Sequence, residues 1–181
     1  QYTEREMTRI AWNSFRNLLF TGVEAIRMPL LRAQSAQVRN AYADAMKQFK
    51  EIQQMGKGAI LACPHMGSWE TAAGICNQAG ISMFAIAGQQ RNPLFDAYLN
   101  RLRASIGNEI CMRGSTSIRG VLDRLKTGKF LAVLPDTRSP TPGVQVRFLG
   151  GTANVTPGIV LFARHAAVPI LPVINTRRGW T

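Results

Sequence analysis

Gly58-Ala-Ile-Leu-Ala-Cys-Pro-His-Met-Gly-Ser-Trp-Glu70 reads as a strand, a turn and the start of a helix. The apolar run Ala59–Cys63 has the length and composition of a buried strand. Pro64 ends it, because proline has no N–H to give to a sheet ladder. His65 then stands where an open α/β sheet holds its chemistry, at the carboxyl end of a strand. Ser68 is positioned to cap a helix beginning near Trp69, with Glu70 in its first turn, where negative charge is favoured. On one continuous helix their spacing would set His65 and Glu70 about 140° apart. They meet only if His65 lies in the turn and Glu70 reaches back to it. A histidine held by a carboxylate in this way is a general base with a fixed tautomer. The competing reading is a helix-capping turn with a surface histidine, so the rest of the chain has to decide.

Outward from this stretch the sequence alternates strands and helices. Before it, Trp12, Phe15, Leu19, Val23, Ile26 and Leu30 form a helical stripe within residues 10–30. Two readings of that stripe stay open: a helix packed on the domain, or an amphipathic helix lying on a membrane with Arg9, Arg16, Arg27 and Arg32 near headgroups. A second helix runs from about Ser35 to Met55, burying Val38, Tyr42, Ala45, Phe49 and Ile52 and ending at Gly56. After Glu70, the helix 69–78 leads to a strand 82–87, a helix 93–106, a strand 109–112, a helix 116–126 and a strand 130–134. A loop with Ser139-Pro-Thr-Pro-Gly143, a short extended piece 144–148, a helix after Pro157 and a strand 169–174 complete the chain. Such alternation specifies an α/β fold, a mostly parallel central sheet flanked by helices and preceded by two N-terminal helices. No internal repeat or low-complexity segment interrupts it.

A chain of 181 residues, 46% of them hydrophobic, makes one domain with a substantial core and is not disordered. Its formal net charge is +12. The excess is spread along the chain and is strongest towards its end, so it is not a basic tail. It favours anionic partners: phosphate-bearing ligands, membrane surfaces, acidic proteins or nucleic acid. Cys63, Cys76 and Cys111 are scattered and lie among apolar residues, which points to buried reduced thiols and away from a disulfide framework. With only His65 and His165 beside them, no metal site is expected. Cys63 is a conceivable nucleophile next to His65, but its place inside the strand favours a core role. No run reaches the ~20 apolar residues that span a bilayer; the best candidate, 159–174, is broken by Arg164, His165 and two prolines. No signal-peptide pattern is read within these residues. Gly-x-Ser-x-Gly does not occur, which counts against an ordinary serine hydrolase.

Five ordered stretches resemble one family. Pro64-His-Met-Gly-Ser-Trp-Glu70 is similar to the His-x4-Asp/Glu motif of glycerolipid acyltransferases, and more narrowly to that of bacterial lipid A acyltransferases. Arg91-Asn-Pro-Leu-Phe-Asp96, Met112-Arg113-Gly, Leu134-Pro-Asp136 with Val144-Gln-Val-Arg-Phe-Leu-Gly150, and Val168-Pro-Ile-Leu-Pro-Val173 resemble the family's later blocks, in order. The likeness covers about residues 10–175. Ser68 stands where the family often has Asn, and Asp136-Thr-Arg replaces its more frequent Asp-Gln-Asp or Asp-His-Asp.

The resemblance implies a single acyltransferase domain over 1–181, an amphipathic helix in 1–33 and an α/β catalytic core in 34–181, with the family's N-terminal anchoring helix and C-terminal portion outside this chain. It implies transfer of a fatty acyl group from a thioester, on acyl carrier protein or coenzyme A, to a hydroxyl of an anionic glycolipid. No cofactor is expected beyond that co-substrate. His65 would be the base, Glu70 would hold its ring, and the backbone amides of Gly67 and Ser68 would receive the oxyanion. Arg113 would bind an anionic part of a substrate. Asp136 would orient the acceptor or support the His65–Arg113 cluster, and Arg91 and Arg138 are weaker substrate contacts. Trp69 reads as core and His165 as structural. The expected setting is the cytoplasmic face of a bacterial inner membrane. Two other readings remain: an acyltransferase for lysophospholipid or another glycolipid, and a non-enzymatic basic module for membranes or nucleic acid. No nucleic-acid signature supports the last, so a nucleic-acid partner is not expected.

Overall fold

A computed structural model describes residues 2–30, 36–112, 117–137 and 142–177. Helix α1 (Glu4–Arg27) and a 3₁₀ turn (Met28–Leu30) precede α2 (Ala36–Gln54). The alternating part follows as β1 (Ala59–Ala62), α3 (Trp69–Gln78), β2 (Met83–Ala87), α4 (Pro93–Ser105), β3 (Glu109–Met112), α5 (Ser117–Lys126) and β4 (Phe130–Val133). The chain then makes β5 (Val144–Phe148), β6 (Gly151–Val155), α6 (Gly158–Ala166) and β7 (Ile170–Pro172). Strands β1–β4 and β7 form one parallel sheet in the order β3-β2-β4-β1-β7, as the alternation predicts.

Strand alternation divides the core between the two faces of this sheet. Ile60, Phe84 and Leu131 point to one face, where Val121 and Leu125 of α5 and Ile159 of α6 cover them. Ala59, Leu61, Met83 and Phe130 point to the other, under Phe49 of α2 and Cys76 of α3. A parallel sheet is stable only when both faces are covered, and these near-continuous apolar strands meet that condition.

Several boundaries differ from the sequence reading. Helix α1 starts earlier, at Glu4, because Thr3 and Glu6 form a reciprocal capping box. Ser68 is the residue before α3, yet its hydroxyl donates to Thr71 Oγ1 at 2.7 Å and caps no backbone N–H. The segment after Phe148 is not loop alone. Leu149 and Gly150, at φ 49° and 78°, make a two-residue turn that returns the chain as β6, antiparallel to β5. Positive φ at both positions is what a tight hairpin requires. Gly151-Thr-Ala-Asn-Val155 alternates only small and polar residues up to Val155 and has no large apolar face, so its strand signal is weak.

Candidate active site

The register of the sheet builds the site. Ala62 of β1 is paired with Val133 of β4 on one side and with Pro172 of β7 on the other. Three residues beyond each of these lie His65, Asp136 and Asn175. Neighbouring parallel strands thus deliver a histidine, a carboxylate and an amide at one level past the carboxyl edge, where such sheets hold ligands.

Asp136 grips His65 twice. The His65 backbone N–H donates to Asp136 Oδ2 at 2.7 Å, and the ring Nδ1 meets Oδ1 at 2.6 Å. With the carboxylate ionised, Nδ1 carries the proton and donates it, which leaves Nε2 as the basic nitrogen. Burial acts to raise the Asp136 pKa, but the two hydrogen bonds and the charge of His65 outweigh it and hold the carboxyl below its ordinary value. The two side chains are 42% and 39% exposed, so the pair is open to a substrate. Trp69 sets its ring edge against the imidazole, with centroids 5.0 Å apart and planes 77° apart. It is half-buried and forms a wall of the site, more than the core role read from sequence.

Glu70 does not reach back to His65. Its carboxylate accepts from Arg103 of α4, at 3.0 and 3.2 Å from Nε and 2.5 Å from Nη2. The pair is almost enclosed, with 14% of Arg103 and 12% of Glu70 exposed. The physical reason is the register: the position on Nδ1 is taken by Asp136 from the adjacent strand, while α3 turns Glu70 towards α4. The carboxylate partner expected of Glu70 is therefore supplied by Asp136 in this structure.

The turn itself is pinned from two sides. Thr21 of α1 donates to the Gly67 carbonyl at 2.8 Å, and Asn175 Nδ2 donates to the Ser68 carbonyl at 2.7 Å. Tyr42 of α2 donates to Asn175 Oδ1 at 3.2 Å, which fixes the amide. Gly67 has φ 61°, and a Cβ there would lie 2.3 Å from the Asn175 carbonyl oxygen, so only glycine fits. Thr21 and Asn175 escaped the sequence reading, and Tyr42 entered it only as part of the buried face of the second helix. The spacing of Asn175 from the end of β7 is a signal only once the strand order is known.

A cavity of about 120 Å³ lies between the sheet and α2–α3, and Trp69, the neighbour of the His65 ring, lines it. Trp69, Ala73, Phe49, Leu61, Met83 and Ala85 give it an apolar lining, and Glu70 with Arg103 forms a charged part of the wall. Cys63 also lines it. Burial first, and then the Asp136 charge, raises the Cys63 pKa, so the thiol stays protonated and is a poor nucleophile. Burial lifts Cys76 further, to about 12.

Of the other expected site residues, Arg91 is exposed in the turn after β2, two strands across the sheet from β1, and outside this cluster. Asn92 caps α4 through the N–H groups of Leu94 and Phe95, and Asp96 accepts from the Gln90 N–H, so the block resembling the family is a helix start here. Arg113 and Arg138 lie outside the described residues. His165 bonds through Nδ1 to the Leu161 carbonyl within α6 and takes no part in the site.

Comparison with known proteins identifies the family. A search among curated proteins found no match. A model of the bacterial lipid A biosynthesis acyltransferase family matches residues 1–181, the whole length of the chain. An α/β sheet with a histidine–carboxylate pair at its carboxyl edge, matched from end to end by that model, makes the chain a member of the bacterial lipid A biosynthesis acyltransferase family and an O-acyltransferase.

Proposed function

We propose that the protein moves a fatty acyl chain from an acyl thioester, on acyl carrier protein or coenzyme A, to a hydroxyl of a lipid A-type glycolipid at a membrane surface. The observation that carries this reading is the half-exposed His65–Asp136 pair, with Trp69, whose ring meets the imidazole, lining an apolar cavity. An alcohol is a weak nucleophile, and His65 Nε2 removes its proton as the oxygen attacks the thioester carbonyl. Asp136 holds the ring and stabilises the imidazolium that forms. General base assistance of this kind contributes about 10²–10⁴-fold. The tetrahedral oxyanion is received by the amides of Gly67 and Ser68 at the start of α3, in a turn that Thr21 and Asn175 keep in place. The imidazolium then returns its proton to the departing thiolate, so that thiol and acylated glycolipid leave without an acyl-enzyme. The apolar cavity takes part of the acyl chain. The excess of basic residues suits an anionic acceptor.

Transfer from lauroyl- or myristoyl-acyl carrier protein, and from the matching coenzyme A esters, to a lipid A precursor tests the proposal. The parent protein transfers, and His65→Ala loses activity by at least 10²-fold. Transfer undiminished in the variant would remove His65 as the base. Transfer to lysophospholipid alone would replace the acceptor and keep the chemistry.

A further inference from the structure

We propose that α1 is a lipid-docking element that lies in the surface of an anionic bilayer, with its outward face immersed and the His65 turn suspended at headgroup depth. The proposal rests on the acyltransferase reading only for what His65 does there; the surface stands on α1 itself.

At 100° per residue, Trp12, Phe15, Leu19, Val23 and Ile26 fall within an arc of about 80°. That arc is centred about 160° from Thr21, the buried residue of the helix. Thr21 and its neighbours Asn17 and Glu24 tie α1 to the domain, through Gly67 and through Arg177. The apolar stripe therefore points directly away from the protein, and each of its five residues is 51–63% exposed. A helix packed on the domain through this stripe, one of the two sequence readings, is not what forms.

Charge along the helix identifies the occupant. Arg5, Arg9, Arg16 and Arg27 project about 20–60° round from Trp12, in a row along one flank of the stripe. An apolar face rimmed by arginines suits the boundary between anionic headgroups and acyl chains. Among the described residues no helix is long and apolar enough to cross a membrane, so α1 lies along the surface. A helix in this position sinks roughly 5–10 Å, and its own diameter is about 10–12 Å. The Gly67 carbonyl, bonded to the opposite side of α1, is thereby held near headgroup level, which is where a glycolipid presents its hydroxyl groups.

A second projection leaves the same edge of the sheet. All five residues of β5 are exposed, with Val144, Val146 and Phe148 along one face of the strand. Leu149 at the tip is 91% exposed at φ 49°, a left-handed conformation with no packing to offset it. Phe148 and Leu149 leave a second exposed apolar projection at the tip of this hairpin.

The test is sedimentation of the full chain with vesicles of phosphatidylglycerol and phosphatidylethanolamine, against phosphatidylcholine alone. The protein binds the anionic vesicles and Leu19→Glu/Val23→Glu loses at least ten-fold in affinity, with an unchanged melting curve because both side chains face outward. Arg5→Gln, Arg9→Gln and Arg27→Gln each lower affinity for anionic vesicles about five-fold and leave neutral vesicles unaffected. Undiminished vesicle binding by the double glutamate variant would overturn the proposal. So would a parent dimer that this variant dissociates while vesicle binding stays the same, since the stripe would then be a self-association face. Vesicle binding lost as expected, but with no acyl transfer from any donor, supports the surface and sinks the acyltransferase reading. Transfer to a detergent-dispersed acceptor with no vesicle binding does the reverse.

Discussion

Asp136 shows how one side chain can take the part that sequence distance assigned to another. Asp136→Asn keeps the shape and removes the charge that fixes the His65 tautomer, so kcat falls by about 10²–10⁴-fold while KM changes little. Its lowered pKa has a defined consequence for stability. Because the folded value lies below the ordinary 3.8, the contribution of the ionised carboxylate is fully present above about pH 3.8 and is lost as pH falls through the folded value. Denaturation curves of the parent and Asp136→Asn therefore converge on acidification below about pH 3.8 and stay separated at neutral pH. Cys63 gives a prediction of the opposite kind. Its pKa is raised by burial and by Asp136, so iodoacetamide labels it slowly at pH 8 and Cys63→Ala retains acyl transfer to within roughly three-fold. His65 was legible from sequence alone, because an apolar run ended by proline marks a strand terminus. Asp136 is placed near His65 only through the family resemblance; its direct hydrogen bonds to His65 were not readable, because nothing in a linear chain says that β4 lies beside β1.

The turn between β1 and α3 is held by elements distant in sequence, and that is where its fragility lies. Gly67→Ala meets the Asn175 carbonyl and forces a left-handed φ on alanine, costing roughly 1–3 kcal/mol and displacing the oxyanion amides. Asn175→Ala releases the Ser68 carbonyl for about 1 kcal/mol of stability. If the turn needs this support, kcat falls further than the melting temperature alone accounts for. The α3–α4 contact makes a different prediction. Arg103→Met leaves the nearly enclosed Glu70 carboxylate unpaired and destabilises by about 3–5 kcal/mol, whereas the volume-matched double variant Glu70→Leu/Arg103→Met recovers most of that loss in urea denaturation. The helix and strand alternation was readable because apolar periodicity survives without tertiary context. The β5–β6 hairpin was not: β6 buries no alternating face, and a leucine in the first turn position hides the usual signal.

For the molecule as a whole, the parallel direction of β1–β4 and β7 sets the loops that follow these strands at one edge, and the His65–Asp136 pair gathers there. The fold class was legible throughout, since it depends on patterns within single elements. The composition of the site depended on strand order and register, which paired Ala62 with Val133 and so brought Asp136 to His65. The same topology separates Glu70 from His65 and pairs it with Arg103. The most direct measurement is acyl transfer by Asp136→Asn and Glu70→Gln side by side, each with its melting temperature. The structure predicts that Asp136→Asn loses about 10²-fold or more in kcat with a small drop in melting temperature at neutral pH, and that Glu70→Gln loses more stability with a smaller effect on kcat. A Glu70→Gln variant that melts like the parent but is as inactive as His65→Ala, beside a fully active Asp136→Asn, would contradict it.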